Sequence, residues 1–235
     1  MHGVDVDAAV RQARGVTTAL PARRGLRHLL FRRSYRQVAE YATAWDEANS
    51  RALSADGPVW LVLGDSAAQG VGASAHDRGW VGQVHRRLAD ADSRTWQVVN
   101  LSHSGARTRH VVDVQWPRAQ ELLAHRPPAL VTAVVGGNDA LGTPLGRWMG
   151  DVEDLCDLLP AGAVVATVAR GVFERKTRSV NAHLRERAGA RGLRVADLWE
   201  HTGPPYRGLY ADGFHPNDAG YRQWADAVCE ALAIG

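Results

Sequence analysis

The sequence predicts an α/β fold with a parallel sheet, and three observations indicate it. Five apolar runs rich in β-branched residues are spread along the chain: VWLVL at 59–63, QVVNL at 97–101, ALVTAVV at 129–135, AVVATVA at 163–169 and LRVADL at 193–198. Most of these runs are continuous, which is typical of strands buried on both faces. Helix-like stretches separate the runs, so we expect βαβ units with right-handed crossovers and helices on both faces of the sheet.

The helix-like stretches follow the runs in order. They lie at 79–90, 108–125, 145–159 and 175–190, and the last one, HPNDAGYRQWADAVCEALA, lies at 215–233. Pro117 falls inside the second stretch. It is expected to break or kink that helix, because proline has no N–H to donate and its ring clashes with the preceding turn.

The composition is that of one globular domain with an extension. The chain has 235 residues, of which 45% are hydrophobic, and that length is short for two full α/β domains. It contains no run of about 18 apolar residues, and its N-terminus has no apolar stretch of the secretory type. Cys156 and Cys229 both fall in helix-like stretches, which argues against a disulfide framework and predicts a reducing, cytoplasmic location.

Residues 1–57 differ in composition from the domain predicted at 58–235, and we expect them to form an Arg-rich helical extension. Eight arginines and no acidic residue lie between Ala8 and Ala39. A helix is expected over 29–53. Its apolar residues recur at helical spacing and form one stripe: Phe31, Tyr35, Val38, Ala42 and Trp45.

Two roles for this extension stay open. In the first, the helix packs on the globular domain and its arginines are solvated. In the second, the segment at 8–45 associates weakly with an anionic membrane surface or a partner. We favour the first, because Glu40, Asp46 and Glu47 interrupt the basic face. A nucleic-acid partner is not expected, since no recognition motif accompanies the arginines.

Polar, glycine-containing segments follow four of the apolar runs. They are GDS at 64–66, SHSGA at 102–106, GGNDA at 136–140 and DGFHP at 212–216. In an open parallel sheet, ligands bind beyond the carboxyl ends of the strands. These segments therefore predict a site at that edge, where Ser66 is either a nucleophile or a turn residue that ends the first strand.

A serine nucleophile needs a histidine to accept its proton and an acid that holds this histidine in the right tautomer. His215 is the candidate base, and Asp212 lies three residues before it in the same short loop. The competing interpretation is a histidine in a polar turn that starts a helix, with Pro216 in the first turn and Asn217 as the cap. His103, in the second polar segment, is the main rival for the base.

An oxyanion that forms during attack on a carbonyl needs hydrogen-bond donors. Gly105 follows a strand and can present its backbone N–H, and the Asn138 side chain offers an NH₂ group. The backbone N–H of Ser66 is a third candidate. The alternatives are that Gly105 is a turn glycine and that Asn138 forms an Asx turn with Asp139.

Taken in order, the four segments resemble the four sequence blocks of the SGNH (GDSL-type) hydrolase family: GDS with Ser66, NLSHSGA with Gly105, GGNDA with Asn138, and DGFHP with Asp212 and His215. The resemblance implies a flavodoxin-like three-layer α/β/α sandwich with a five-stranded parallel sheet. It also implies a site without a metal or other cofactor. By the resemblance, Ser66 is the nucleophile and His215 is the base, oriented by Asp212. Ser66, Gly105 and Asn138 would form the oxyanion hole.

This family includes esterases, lipases, thioesterases, carbohydrate acetylesterases and some acyltransferases, so the resemblance leaves the substrate open. It covers roughly residues 58–233. We expect a small-molecule partner, a small or medium acyl ester bound in an open cleft, because the segment after residue 141 is short for a large lid. The candidate substrate contacts are Arg107, Trp148, Tyr210 and Phe214.

The leading hypothesis is a serine esterase that works through an acyl-enzyme on Ser66. Two alternatives stay open. One is an acyltransferase that uses the same acyl-enzyme with an alcohol or amine as acceptor. The other is a catalytically silent protein that binds a membrane or a partner through the basic N-terminal helix. The oligomeric state does not follow from the sequence.

Overall fold

One five-stranded parallel sheet organises the part of the chain that the structure describes. The computed structural model describes residues 32–171 and 173–234, without the side chains of Arg32, Arg33 and Tyr35. The strands are β1 (Val59–Gly64), β2 (Gln97–Asn100), β3 (Leu130–Val134), β4 (Val164–Ala166) and β5 (Arg194–Ala196). Their order across the sheet is β2-β1-β3-β4-β5, and neighbouring strands are parallel. Each predicted apolar run therefore forms a strand, and the order is the flavodoxin-like one.

Helices connect and cover the strands. They are α1 (Arg32–Ser54), α2 (Trp80–Ala91), α3 (Thr108–His110), α4 (Trp116–Leu122), α5 (Gly137–Gly142), α6 (Leu145–Leu158), α7 (Glu174–Ala190), α8 (Leu198–His201) and α9 (Asp218–Leu232). A π-helical turn, Val111–Gln115, joins α3 to α4, and Pro117 lies just beyond it. The irregularity expected at Pro117 thus takes the form of a π turn that precedes the proline.

The sheet is buried between two helical layers. Side chains of β1 alternate between the faces, as they do in any strand. Trp60 and Val62 pack in one core with residues of α1, α2 and α9, whereas Leu61 and Leu63 pack in the other with residues of α4, α6 and α7. Both faces of β1 are therefore apolar, which accounts for its continuous apolar run. The predicted three-layer α/β/α fold is confirmed.

Helix α1 packs along the edge of the sheet beside β2. The Asn49 side chain accepts the backbone N–H of Asn100 at 2.7 Å and donates to the Asn100 carbonyl at 2.8 Å. It thereby satisfies backbone groups of an edge strand that would otherwise be unpaired. The packing of α1 on the domain agrees with the favoured role of the extension, and membrane association of residues 8–45 stays a prediction.

The buried face of α1 differs from the predicted apolar stripe. Trp45 is buried, but Val38 and Ala42 are only half-buried, and Phe31 and the side chain of Tyr35 lie outside the described part of the chain. The buried positions of this part of α1 are Ser34, Gln37, Tyr41 and Trp45. The prediction of a purely apolar stripe is therefore wrong in part. Two of these four buried positions, Ser34 and Gln37, carry polar side chains that hydrogen-bond to the domain.

The described residues contain two free thiols and no helix suited to a bilayer. Cys156 and Cys229 are both buried, one in each core, and burial raises the pKa of Cys156 to about 11. Within residues 32–171 and 173–234, none of the helices combines the length and the apolarity needed to cross a membrane.

Candidate active site

Ser66 lies just beyond the carboxyl end of the central strand and contacts a distant histidine. β1 ends at Gly64, and Ser66 is two residues further along, at the start of a run of tight turns. Its Oγ lies 3.0 Å from Nε2 of His215, which is 149 residues later in the chain. His103, the rival base, instead faces the ring of His110, with 5.4 Å between the ring centroids. Ser66 is therefore a turn residue and at the same time the partner of a histidine.

The loop that carries the aspartate and the histidine is closed by its own backbone. Ala211 N–H donates to the His215 carbonyl and Asn217 N–H donates to the Leu209 carbonyl, both at 2.9 Å, so the loop is a short antiparallel bridge. The Asn217 side chain then caps α9 by accepting two backbone N–H groups of its first turn. Pro216 lies before this cap and not in the first turn, which corrects its predicted position.

Asp212 accepts four hydrogen bonds, two on each carboxylate oxygen. Its Oδ1 accepts the backbone N–H groups of Phe214 at 2.7 Å and of His215 at 2.6 Å. Its Oδ2 accepts Nδ1–H of His215 at 2.9 Å and the hydroxyl of Ser34. Burial raises the pKa of Asp212, but the hydrogen bonds outweigh burial and bring the pKa well below the usual range of an aspartate. The carboxylate therefore favours the His215 tautomer whose Nε2 can accept the Ser66 proton.

Gly105 and Asn138 lie at the same edge of the sheet. Nδ2 of Asn138 donates to the Ala106 carbonyl at 2.9 Å and lies 3.5 Å from Oδ2 of Asp65, so it contacts the chain neighbours of both Gly105 and Ser66. Gly105 is exposed and has a φ of +83°, with nothing within 4 Å of the place where a Cβ would stand. Its backbone is thus accessible to a ligand.

Asp139 is a supporting residue that the sequence did not reveal. Its Oδ2 accepts the backbone N–H of Thr108 at 2.8 Å and the Thr108 hydroxyl at 3.0 Å, and its Oδ1 accepts the Thr143 hydroxyl at 2.7 Å. This buried carboxylate ties the loop of Asn138 to the segment that follows Gly105. An aspartate directly after Asn138 was a visible signal, but only the tertiary fold shows that Thr108 is its partner.

Gln115 is a second supporting residue that the sequence did not reveal. Its side chain accepts the Gly64 N–H at 2.9 Å and donates to the Gly64 carbonyl at 2.8 Å. The glutamine thereby pairs with the last residue of β1 as a neighbouring strand would. It lies at the end of the π turn, a helical irregularity that is common near functional sites.

A pocket of about 360 Å³ lies beside the imidazole of His215. Its wall includes apolar side chains from the ends of β3 and β4, from α8 and from the loop before α9: Val134, Val168, Ala169, Leu198, Tyr210 and Phe214. Two predicted substrate contacts, Tyr210 and Phe214, therefore line a pocket that also reaches His215. The volume falls at the lower end of the range of small-molecule sites.

The other two predicted substrate contacts lie elsewhere. Trp148 is 1% exposed, and its Nε1 donates to the Thr108 hydroxyl at 3.2 Å, so it is a core residue of α6 and its predicted contact with substrate is wrong. The Arg107 side chain is exposed and lies against Gly142. A role for Arg107 in substrate binding stays a prediction. The neighbouring Arg109 is already paired with carboxylates of α6 and the π turn.

Asp65, the aspartate of GDS, is buried beside Ser66. It is 5% exposed, and its Oδ1 accepts the Ala67 N–H at 2.9 Å. Burial raises the pKa of Asp65 to about 6, although the Ala67 hydrogen bond and the attraction of His215 oppose the rise. Because this pKa is higher than that of an aspartate in the unfolded chain, about 3.9, the carboxyl favours folding at low pH, and this contribution is lost as the pH rises to about 6.

Asp65→Asn is expected to remove that pH dependence. The asparagine oxygen can accept the Ala67 N–H, and the amide is neutral at every pH. Relative to the parent protein, the variant should gain about 2 kcal/mol of unfolding free energy between about pH 4.5 and pH 8. Urea unfolding of both proteins at the two pH values measures this difference. Asp77→Asn, at an exposed aspartate, is the control, and a pH-independent effect of Asp65→Asn would contradict the prediction.

Solved structures share this fold. The crystal structure of TesA is 26% identical with a TM-score of 0.58, and the match covers 74% of this chain and 97% of that one. The structure of LAE5, an α/β hydrolase enzyme from the metagenome of Lake Arreo in Spain, is 20% identical with a TM-score of 0.61, covering 76% and 96% of the two chains.

The chain is also similar in sequence to a TesA protein. Esterase TesA of Pseudomonas aeruginosa is 40% identical over 81 residues, which are 34% of this chain and 37% of that esterase. The aligned stretch therefore spans little more than a third of the relative. Residues 62–223, well over half of the chain, match the GDSL-like lipase/acylhydrolase family. The chain belongs to that family of GDSL-like lipases and acylhydrolases.

Proposed function

We propose that this protein is a serine esterase that hydrolyses small or medium acyl esters through an acyl-enzyme on Ser66. The observation that carries the proposal is the chain of hydrogen bonds from Ser66 to His215, 3.0 Å, and from His215 to Asp212, 2.9 Å. Membership of a lipase/acylhydrolase family and similarity to a protein named an esterase support an ester as the bond that is attacked.

In the acylation step, Oγ of Ser66 attacks the ester carbonyl carbon while Nε2 of His215 takes the hydroxyl proton. The carboxylate of Asp212 stabilises the imidazolium that forms. The carbonyl oxygen becomes an oxyanion, for which the backbone N–H groups of Ser66 and Gly105 and the side-chain amide of Asn138 are the donors. One such donor contributes about 10²–10³-fold to turnover in comparable sites.

The tetrahedral intermediate then collapses to the acyl-enzyme. The bond to the alkoxy oxygen breaks, and His215 returns its proton to the leaving alcohol. In the second half-reaction, His215 takes a proton from water as the water oxygen attacks the acyl carbon. Collapse of this intermediate releases the carboxylic acid, and the proton on His215 returns to Oγ of Ser66.

The pocket beside His215 supports an acyl group of small or medium size as the specificity element. Its lining is mostly apolar, although Thr167 and Arg170 also contribute, and about 360 Å³ gives room for a short hydrocarbon chain. Burial of methylene groups against such a wall stabilises binding by about 0.8 kcal/mol per group. We therefore expect kcat/KM to rise with chain length until the pocket is full and to fall beyond that length.

The test of the proposed function is a series of p-nitrophenyl esters from acetyl to dodecanoyl, with and without prior treatment by a fluorophosphonate. We expect hydrolysis in the untreated sample, an optimum at short or medium length, and loss of activity as the fluorophosphonate modifies Ser66. Peptide mass analysis identifies the modified residue. Hydrolysis that persists after complete modification of Ser66 would refute the proposal.

Ala169→Phe is expected to shift the chain-length optimum toward shorter esters. Ala169 is half-buried and lines the pocket, so a phenyl ring there occupies space that a longer acyl chain would use. The ratio of kcat/KM for octanoyl to acetyl esters should fall by roughly tenfold, which corresponds to the loss of about two buried methylene groups. Ala89→Phe, on the exposed face of α2, is the matched control. An unchanged ratio in Ala169→Phe would mean that the acyl chain binds elsewhere.

A further inference from the structure

Helix α1 precedes the segment that matches the family, yet it contacts the candidate catalytic acid. The matched segment begins at residue 62, whereas α1 ends at Ser54. Near the start of α1, the hydroxyl of Ser34 donates to Oδ2 of Asp212, the same oxygen that accepts Nδ1–H of His215 at 2.9 Å. Ser34 is 4% exposed, and so is the Asp212 side chain, so water has little access to replace the hydroxyl.

Ser34 completes the set of partners around the Asp212 carboxylate. Backbone N–H groups of Phe214 and His215 hold Oδ1 at 2.7 and 2.6 Å. Oδ2 is held by the imidazole and by Ser34. The imidazole changes its charge during the proposed reaction, whereas the Ser34 hydroxyl stays neutral, so Ser34 is the partner of Oδ2 that does not change. Without Ser34, a buried carboxylate oxygen would have one hydrogen bond where it has two, and the carboxylate plane would be less firmly fixed.

Other side chains of α1 hold the turns that follow the candidate nucleophile. Gln37 accepts the Gly72 N–H at 3.0 Å and donates to the Ala73 carbonyl at 2.9 Å. About two helical turns further along α1, Trp45 donates its indole N–H to the Gln69 carbonyl at 3.0 Å. Helix α1 therefore contacts both the acid and the segment after the nucleophile.

The segment held by Gln37 packs directly against the histidine loop. Gly72 has a φ of +98°, and a Cβ there would lie 2.4 Å from the Pro216 carbonyl oxygen and 2.8 Å from Cβ of His215. Only a glycine permits this approach. Because the two segments are in contact, α1 supports the position of His215 in two ways, through Asp212 and through the turns that follow Ser66.

We propose that Ser34, at the start of α1, is a positioning residue of the reaction, whose hydroxyl fixes the Asp212 carboxylate in the orientation that holds His215. This inference rests on the serine mechanism proposed above. Ser34 acts through Asp212 and is not itself among the residues that line the pocket, so its loss should lower kcat and leave KM almost unchanged.

The experiment compares kcat and KM of Ser34→Ala, Ser34→Thr and the parent protein on a short p-nitrophenyl ester. We expect Ser34→Ala to lower kcat roughly 10–100-fold, the effect of one hydrogen bond to a buried charged group, with KM changed less than about twofold. Ser34→Thr keeps the hydroxyl and should restore kcat to within about threefold of the parent. Ser54→Ala, on the exposed end of the same helix, should leave both constants unchanged.

Rates are expressed per site labelled by a fluorophosphonate, so that a partly unfolded sample lowers the number of sites and not kcat. If Ser34→Ala yields no folded protein, Ser34→Cys takes its place, since a thiol is a weak donor of similar size, and its kcat should be several-fold lower than that of the parent. A parental kcat per site, an equal loss in Ser34→Thr, or a change confined to KM would overturn the inference. Retention of activity by Ser66→Ala would instead overturn the proposed function itself.

Discussion

Ser66→Ala is expected to lower kcat for ester hydrolysis by about 10⁴-fold or more and to abolish labelling by a fluorophosphonate. The variant lacks the hydroxyl that forms the acyl-enzyme, while the donors at Gly105 and Asn138 are kept. Their polarisation of the carbonyl leaves a small residual rate with water as the nucleophile. Initial rates with p-nitrophenyl butyrate, measured at a high concentration of the variant, determine the size of the loss.

The loss should be specific to this hydroxyl. Ser179→Ala is a matched control, because the Ser179 hydroxyl donates to a carbonyl within α7, away from the site, and its removal should not alter kcat. Ser66→Ala should also unfold within a few degrees of the parent, since it adds no atoms to the tight turns after β1. Near-parental hydrolysis by Ser66→Ala would show that a different nucleophile, or none, is used.

The parallel sheet could be predicted because its strands are buried on both faces. In β1, alternate side chains pack in opposite cores, so the run has no polar position to interrupt it. The sequence also predicted that Ser66 and His215, which are 149 residues apart, lie at the same edge of the sheet. Parallel strands bring their carboxyl ends to one edge of the sheet, so polar segments that follow different strands lie along the same edge.

Interactions that depend on hydrogen bonds between distant segments could not be predicted in this way. The buried face of α1 includes Ser34 and Gln37, whose hydrogen-bond partners lie on loops later in the chain. A search for apolar residues at helical spacing does not identify such polar positions as buried. The same holds for Asp139, whose burial is compensated in part by Thr108, which lies on a different segment. Trp148 misled in the opposite sense: the helix predicted at 145–159 forms as α6, but it buries the indole in the core, away from the pocket where the substrate contact was expected.

Asp212→Asn is expected to lower kcat by about 10³–10⁴-fold in a protein that stays folded. The N–H groups of Phe214 and His215 both point at Oδ1, at 2.7 and 2.6 Å, and they require an oxygen at that position. The asparagine amide therefore places its oxygen there and its NH₂ group opposite Nδ1 of His215. Since NH₂ is a donor, Nδ1 must accept, and the ring proton moves to Nε2. Nε2 then donates to Ser66 and can no longer take its proton.

Asp212→Ala distinguishes the wrong tautomer from the mere absence of a carboxylate. Alanine offers no acceptor to the N–H groups of Phe214 and His215, so this variant should unfold at a lower temperature than Asp212→Asn. It imposes no tautomer on His215, however, so its kcat should exceed that of Asp212→Asn. Thermal unfolding and kcat per labelled site would then rank the two variants in opposite orders. A carboxylate that served only as a scaffold would give one order in both measurements, with Asp212→Asn the more stable and the more active variant.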